Sequence, residues 1–266
     1  MEKTSLSISY FPTDLCNYRC DYCYRNEYKK DIYTPSKHEI DKMFEHLQKY
    51  DITSFRILGG EPTLYQNIDY LITKSLVQNN IQETKLISNG SNNDKLLHLY
   101  ELSNQRLKIG ISIHPKYFNF DTNTIISNIN TIKNIRYRIV LDIRYKKEIE
   151  EILHFFKKIQ YNDYDYIELI INNKIDNEYS NIEFCKEMYK LGYNKTLNIN
   201  PFLHKRCYNN IIKIEPKGNI TYDSCHKNTN NGLSIYKIKY NHRYDFIKCT
   251  NSNPSCLYNC EHNYHE

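Results

Sequence analysis

The chain has 266 residues, of which 40% are hydrophobic and 25% are charged, and its formal net charge at pH 7 is +5. This length allows a full hydrophobic core, and the alternation of isoleucine-rich with charged segments excludes a disordered composition. No segment approaches the roughly 20 apolar residues that cross a membrane, and the mild, dispersed positive charge favours solvated helix faces over a nucleic-acid surface.

The first twelve residues lack the apolar centre and the small-residue cleavage site of a secretory signal. The cytoplasm is therefore the predicted location. Thiols stay reduced in that compartment, so the nine cysteines are interpreted as metal ligands rather than as disulfides.

Apolar segments of strand length alternate with amphipathic segments of helix length over about the first 170 residues. Strands are predicted at Leu6–Phe11, Phe55–Leu58, Thr84–Ile87, Leu107–Ile113, Ile135–Ile143 and Tyr166–Ile171. Helices are predicted from the capping box Ser36-x-x-Glu39, at Ile68–Val77, Lys95–Leu102, Thr122–Ile132 and Lys147–Ile159, and from a second capping box, Ser180-x-x-Glu183. Six such units predict an α/β fold, a partial (β/α)6 barrel of the TIM type, with functional loops at the carboxyl ends of the strands.

The pattern changes near residue 197, where the alternation ends. A hairpin is predicted from Ile211–Ile214 and Asn219–Tyr222, with Gly218 in its turn, and five of the nine cysteines lie beyond the change. We therefore predict two domains, residues 1–196 and a small cysteine-rich extension at residues 197–266.

Three cysteines follow the first predicted strand in the stretch Cys16-Asn-Tyr-Arg-Cys20-Asp-Tyr-Cys23. Their spacing brings three thiolates onto one tight loop. Three ligands for a four-iron cluster leave one iron without a protein ligand, and that iron can bind a substrate or cofactor. The alternative interpretations of the same three cysteines are zinc ligands and free thiols.

The chain resembles the radical S-adenosylmethionine (SAM) enzymes in this Cys-x3-Cys-x2-Cys motif with an aromatic residue, Tyr22, before the third cysteine. Further matches follow in the order of the family: Gly59-Gly60-Glu61-Pro62 after the second strand, Ser88-Asn89-Gly90 after the third and Ser112-Ile113-His114 on the fourth. His114 stands where many members of the family carry aspartate, so its role is left open.

The resemblance implies a [4Fe–4S] cluster held by Cys16, Cys20 and Cys23, with SAM bound to the fourth iron. Reductive cleavage of SAM would give a 5′-deoxyadenosyl radical that abstracts hydrogen from a substrate. Glu61 would accept a hydrogen bond from the SAM amino group beside Gly59 and Gly60. The other predicted contacts to SAM are Tyr22, Ser88, Asn89, Ser112, Asp142 and Arg144.

The cysteines of the extension resemble those of the twitch and SPASM extensions, which hold auxiliary clusters in one branch of the family. We predict a second [4Fe–4S] cluster on Cys207, Cys225, Cys256 and Cys260, with Cys249 as a substitute ligand. A zinc site to which His226, His262 or His265 contributes is the alternative. Cys185, in an apolar helical stretch, is interpreted as a small buried hydrophobic residue.

The leading hypothesis is a radical SAM oxidoreductase that oxidises or crosslinks a peptide, or dehydrogenates a small molecule. The chain begins a few residues before its first strand, so a peptide substrate would require a separate recognition protein. The expected electron donor is a flavodoxin or a ferredoxin. The alternatives are an RNA-modifying radical SAM enzyme, which the absence of a basic, aromatic strip disfavours, and a non-catalytic iron–sulfur or zinc-binding protein.

Overall fold

The structure, a computed structural model, describes residues 5–23, 25, 33–117, 121–133, 135–159, 167–171 and 211–222. The strands are β1 (Ser5–Tyr10), β2 (Asp51–Ile57), β3 (Thr84–Ser88), β4 (Lys108–Ile113), β5 (Arg136–Leu141), β6 (Ile167–Ile171), β7 (Ile211–Ile214) and β8 (Ile220–Tyr222). The helices are α1 (Lys37–Leu47), α2 (Ile68–Leu76), α3 (Asn93–Leu102), α4 (Thr122–Thr131) and α5 (Lys146–Lys158). Short 3₁₀ helices lie at Pro62–Leu64 and Ile143–Tyr145.

The strands form one sheet in the order β6-β5-β4-β3-β2-β1-β7-β8. Strands β1 to β6 pair in parallel with a helix between successive strands, which confirms the predicted α/β architecture with its partial barrel. The predicted hairpin is also confirmed, because β7 and β8 pair antiparallel and Gly218 in their turn has a φ of +75°.

The hairpin extends the barrel sheet, because β7 pairs in parallel with β1 from Ser7↔Ile211 to Tyr10↔Ile214. The hairpin therefore continues the sheet at the edge where β1 would otherwise be exposed. The domain boundary predicted near residue 197 lies outside the described residues and stays a prediction.

Side-chain caps account for the positions at which several elements begin or end. The capping box that opens α1 is present: the Ser36 hydroxyl accepts from the Glu39 N–H, and the Glu39 carboxylate accepts from the Ser36 N–H. Helix α3 begins at Asn93, two residues before the predicted start, because the Asn92 side chain caps it. Strand β5 stops at Leu141 because Asp142 caps the 3₁₀ helix that follows.

The hydrophobic core lies between the sheet and the helices. Phe55 of β2 packs on Phe44 of α1 with ring centroids 5.4 Å apart, and Tyr137 of β5 packs on Phe156 of α5 at 5.1 Å. The helices therefore cover one face of the sheet and leave the other face towards the interior of the partial barrel.

Two further findings concern sequence predictions outside the core. No helix among the described residues is long and apolar enough to span a membrane. The second capping box at Ser180 and the buried environment expected for Cys185 lie outside the described residues.

Candidate metal and cofactor site

The three cysteines of the motif lie on the loop that follows β1. Cys20 is buried, Cys16 and Cys23 are partly exposed, and none of the three forms a disulfide. The Cys23 N–H donates to the Cys20 carbonyl at 3.1 Å, which turns the loop between the second and third thiols. The Tyr18 N–H lies 3.4 Å from the Cys16 sulfur.

The backbone before Cys16 lies directly on the glycine pair that follows β2. The Gly60 N–H donates to the Thr13 carbonyl at 2.8 Å, and the Glu61 N–H donates to the Leu15 carbonyl at 2.6 Å. A Cβ atom on Gly60 would lie 2.1 Å from the Leu15 carbonyl oxygen, and Gly59 has a φ of +150°. The backbone of the cysteine loop therefore leaves no room for a side chain at Gly59 or Gly60.

Glu61 is fully buried and joins the loops after β2 and β3. Its Oε1 accepts from the Thr63 N–H at 3.1 Å, from the Thr63 hydroxyl at 2.7 Å and from the Ser88 hydroxyl at 2.8 Å. Its Oε2 accepts from the Asn89 N–H at 2.7 Å. Each carboxylate oxygen accepts about two hydrogen bonds, and Oε2 accepts one from Asn89. Oε2 is therefore the oxygen with capacity for a further donor.

The loop after β3 is tied to the cysteine loop through amide side chains. The Asn89 Nδ2 donates to the Asn17 Oδ1 at 2.9 Å and lies 4.0 Å from the Cys16 sulfur. The Asn17 Nδ2 in turn donates to the Ser91 hydroxyl at 2.8 Å. Two of the predicted site residues, Ser88 and Asn89, therefore hold Glu61 and the cysteine loop together.

His114 lies at the end of β4 and contacts two residues of the cysteine loop. Its Nδ1 is 2.5 Å from the Tyr22 hydroxyl and 3.7 Å from the Cys20 sulfur, and its ring stacks on that of Tyr22 at 5.8 Å. Burial lowers the pKa of His114 to about 4. The structure therefore places a partly buried imidazole against Cys20, one of the three predicted cluster ligands. Ser112 precedes it by two residues and lies opposite Arg138 of β5.

Asp142 and Arg144, after β5, form an ion pair. The Arg144 Nη2 lies 2.5 Å from the Asp142 Oδ2, and the Arg144 Nη1 lies 2.7 Å from the Asp21 Oδ2. The hydrogen bond from Arg144 lowers the pKa of Asp21 below its ordinary value. Arg144 thus connects the loop after β5 to the cysteine loop, and its predicted contact with SAM stays a prediction.

Sequence reasoning missed Arg25, two residues after Cys23. Its buried guanidinium pairs with the carboxylates of Asp14 and Glu215 and lies 4.8 Å above the ring of Phe11. Glu215 belongs to the β7–β8 turn, so this Asp14–Arg25–Glu215 triad joins the cysteine loop to the hairpin. No local pattern indicates it, because Glu215 is 190 residues away from Arg25 in the chain.

The three thiols are compatible with an iron–sulfur cluster. No group of three or more His, Cys, Asp or Glu side chains in the described part of the chain converges on one ion. Each cysteine of a [4Fe–4S] cluster binds a different iron, so the thiols need not converge on one point. Donors near the sulfurs, such as the Tyr18 N–H at 3.4 Å from Cys16, suit the negative charge of a thiolate-bound cluster.

The sequence profile of the radical SAM superfamily matches residues 10–160, which is more than half of the chain. The chain belongs to the radical SAM superfamily. Membership implies a [4Fe–4S] cluster and SAM as cofactors. The matched region contains the cysteine loop, the glycine pair and the loops after β3, β4 and β5.

The curated relatives include GTP 3′,8-cyclases. The sequence is 28% identical over 166 residues to the enzyme of Staphylococcus aureus strain Mu3, a match that covers 54% of this chain and 48% of the relative. It is 36% identical over 94 residues to a probable GTP 3′,8-cyclase of Methanococcus aeolicus, covering 34% of this chain and 30% of the relative. The matches thus span about half, or less, of these relatives.

Two solved structures share the fold. SuiB of Streptococcus suis, bound to S-adenosylmethionine, superposes with a TM-score of 0.61 at 13% identity, covering 86% of this chain and 64% of SuiB. The enzyme anSMEcpe, bound to AdoMet and a peptide, superposes with a TM-score of 0.61 at 15% identity, covering 88% of this chain and 78% of that protein. At these identities the similarity establishes the fold alone.

The predicted ligands of the second cluster lie outside the described residues. These are Cys207, Cys225, Cys256 and Cys260, with Cys249 as the substitute. The twitch or SPASM character of residues 197–266 therefore stays a prediction.

Proposed function

We propose that this protein is a radical SAM enzyme that abstracts hydrogen from a substrate held in the interior of the partial barrel. The observation that carries the proposal is the contact of the cysteine loop with the loops after β2, β3, β4 and β5 through Gly60, Asn89, His114 and Arg144. These loops follow the carboxyl ends of parallel strands, where barrels of this kind place their active sites.

Cys16, Cys20 and Cys23 would hold the cluster, and SAM would lie beside it against Tyr22, Gly59, Gly60, Glu61, Ser88, Asn89, Ser112, Asp142 and Arg144. When bound and reduced, the cluster would supply the electron for reductive cleavage of SAM to methionine and a 5′-deoxyadenosyl radical, and that radical would remove a hydrogen atom from the substrate. Glu61 holds the cysteine loop beside the loop after β3, and its Oε2 is the acceptor available to the SAM amino group. His114 and Tyr22 cover Cys20 and exclude water from the buried thiolate.

The substrate is a small molecule or a peptide. Relatives named GTP 3′,8-cyclase support a small molecule, and neighbours bound to peptides, such as SuiB with its precursor peptide SuiA, support a peptide. A peptide substrate would involve a separate recognition protein, and a flavodoxin or a ferredoxin would supply the electron.

SAM cleavage tests the proposal. Anaerobically reconstituted protein with SAM and dithionite should release 5′-deoxyadenosine, measured by liquid chromatography. Cys20→Ala should abolish release, because the cluster loses one of its three protein ligands. Cys185→Ala is the matched control, since that cysteine is predicted to bind neither cluster. Release that persists in Cys20→Ala would overturn the assignment.

We also propose an auxiliary [4Fe–4S] cluster in residues 197–266. Iron and sulfide analysis of a variant with alanine at Cys16, Cys20 and Cys23 tests it. About four irons per chain should remain if the auxiliary cluster exists. Zinc in place of iron would favour the alternative, a structural zinc site.

A further inference from the structure

Cys20 is the most enclosed of the three thiols on the cysteine loop. It is 6% exposed, whereas Cys16 and Cys23 are partly exposed. His114, at the end of β4, lies against it with the imidazole Nδ1 3.7 Å from the Cys20 sulfur. Electrostatic contacts are stronger in a poorly hydrated place than in water, so a donor at this position acts strongly on the sulfur.

Two tyrosine rings of the cysteine loop fix the orientation of the His114 imidazole. The Tyr22 ring stacks on it with centroids 5.8 Å apart and planes at 19°, and the Tyr18 ring meets it edge to face at 5.9 Å and 88°. Tyr18 in turn stacks at 4.9 Å on Tyr117, which lies on the loop after β4. The position of Nδ1 is therefore held by ring packing that involves both loops, as well as by its own contact with the sulfur.

The charge of a cluster-bound thiolate decides which proton arrangement His114 adopts. Nδ1 lies 2.5 Å from the Tyr22 hydroxyl as well as 3.7 Å from the Cys20 sulfur. Without a proton, Nδ1 would turn its lone pair towards a negatively charged sulfur, and the two would repel each other. With a proton, Nδ1 donates to the thiolate, and the Tyr22 oxygen is a second acceptor for the same N–H. A thiolate at Cys20 therefore favours the tautomer that carries the proton on Nδ1.

Hydrogen bonds to the ligating sulfurs bear on the reduction potential of a cluster. An added electron makes the sulfurs more negative, so an N–H donor stabilises the reduced state more than the oxidised state and raises the potential. At Cys16 the nearby donors are the Tyr18 backbone N–H at 3.4 Å and the Asn89 amide at 4.0 Å. At Cys20 the donor is the imidazole of His114, which a single substitution removes.

We propose that His114 tunes the iron–sulfur cluster through Cys20: its Nδ1–H donates to the Cys20 sulfur and makes the bound cluster easier to reduce. The inference deepens the proposed function and rests on it, because it concerns the cluster of that same site. In the reduction step one electron passes to the cluster from dithionite, which is oxidised, and no proton leaves His114. The histidine is therefore a positioning residue that acts through the sulfur.

A redox titration of the anaerobically reconstituted protein with dithionite, followed by electron paramagnetic resonance, tests the inference. The signal that Cys20→Ala removes identifies the cluster of the cysteine loop. His114→Phe keeps an aromatic ring but has no donor. At a fixed potential, the ratio of reduced to oxidised cluster should fall at least about tenfold in this variant, which is a downward shift of about 59 mV for a one-electron couple. An unchanged potential would overturn the inference.

Two further substitutions separate the hydrogen bond from the packing of the ring. His114→Asn places an amide NH₂ close to the position of Nδ1, so it should restore most of the shift seen in His114→Phe. A potential as low as that of His114→Phe would assign the effect to lost packing and overturn the inference. His98→Phe is the matched control, because it removes a half-exposed imidazole that pairs with Asp69 on the helices. An equal shift in this control would also overturn the inference.

A second measurement needs no substitution, so it applies even if His114→Phe fails to bind a cluster. Wild-type protein labelled with ¹⁵N-histidine, reduced with dithionite, should show a weak coupling between the cluster of the cysteine loop and a histidine nitrogen in pulsed electron paramagnetic resonance. Absence of any histidine coupling to that cluster would overturn the contact between His114 and Cys20.

The two proposals can fail separately. Wild-type protein that releases 5′-deoxyadenosine, but whose potential does not respond to His114→Phe, would leave the proposed function standing and remove the role of His114. Wild-type protein whose three motif cysteines hold no cluster would remove the proposed function itself, and iron analysis would show this before any variant is compared.

Discussion

The cysteine loop is supported on two sides by different physical means. On one side, backbone hydrogen bonds to Gly60 and Glu61 and the buried Glu61 carboxylate join the loop to β2 and β3. On the other side, the Asp14–Arg25–Glu215 triad joins it to the hairpin through ion pairs. The first support is made by motif residues that directly follow β2 and β3. The second depends on Glu215, which lies 190 residues after Arg25 in the chain.

The comparison shows that the cysteine loop is held by the hairpin as well as by the strands of the barrel. A buried ion that loses its partner is more costly than a lost neutral hydrogen bond, so the charged support is the more vulnerable of the two. The following substitutions measure each support in turn.

Arg25→Met should have the largest effect. It leaves the carboxylates of Asp14 and Glu215 without their buried counter-ion, and we expect the free energy of unfolding to fall by about 3–5 kcal/mol. Chemical denaturation followed by circular dichroism measures this loss, and iron analysis should show poorer cluster retention. Lys157→Gln, which also removes a positive charge, is the control. A stability equal to that of the control would show that the triad does not hold the loop.

Gly60→Ala tests the uncharged support. The added Cβ would lie 2.1 Å from the Leu15 carbonyl oxygen. The backbone of both residues is held by hydrogen bonds, because the Gly60 N–H donates to the Thr13 carbonyl and the Leu15 carbonyl accepts from the Glu61 N–H. We expect a loss of about 3 kcal/mol, at the upper end of the range for overpacking, together with loss of most of the bound iron.

Gly110→Ala is the comparison for this substitution. Its Cβ would lie 2.8 Å from the Cδ1 of Ile87, the end of a flexible side chain that can move. A smaller loss of stability, with the iron content kept, is therefore expected for Gly110→Ala. Equal losses in the two variants would contradict the assignment of Gly60 to the support of the loop.

Glu61→Gln should cost about 2 kcal/mol, because an amide NH₂ would face donors that now point at a carboxylate oxygen. The midpoint of urea denaturation measures the change. Thr63→Val removes one of the four donors to the carboxylate and should cost about half as much. If Glu61→Gln is as stable as wild type, the carboxylate is not what joins the two loops.

The ion pairs of Glu83 with Lys85 and Lys108 contact neither support of the cysteine loop. They serve as a reference for how much a partly exposed ion pair contributes to stability. Burial raises the pKa of the Glu83 carboxyl, but Lys108 and Lys85 outweigh burial and lower the pKa to about 2 from an ordinary value of 4.5. Its contribution to stability is therefore complete above pH 4.5 and is lost as the pH falls towards 2.

Glu83→Gln should lower the free energy of unfolding at pH 7 by about 1–2 kcal/mol, after allowance for the partial exposure of the pair. The variant should also lose stability less steeply than wild type on acidification below pH 4.5. Thermal unfolding between pH 7 and pH 3 measures both. An unchanged slope in the variant would mean that Glu83 is not paired in solution.

Much of the site could be predicted because its signals are local. The spacing of Cys16, Cys20 and Cys23, the glycine pair and the capping box at Ser36 each depend on residues within one turn or one loop. The network of Glu61 could not be predicted in detail, since Thr63 and Asn89 have no motif that assigns them to one carboxylate. His114 was singled out, but its contacts with Tyr22 and Cys20 depend on how β4 lies beside the cysteine loop.

The sequence by itself determined the alternation of strands and helices, the cysteine loop and the hairpin turn at Gly218, because hydrophobic period, ligand spacing and backbone conformation are short-range properties. Only the tertiary structure decided that the hairpin pairs in parallel with β1 and that Glu215 meets Arg25. Both follow from which strands become neighbours in the sheet. That choice depends on burial and pairing summed over the whole chain, and no local segment encodes it.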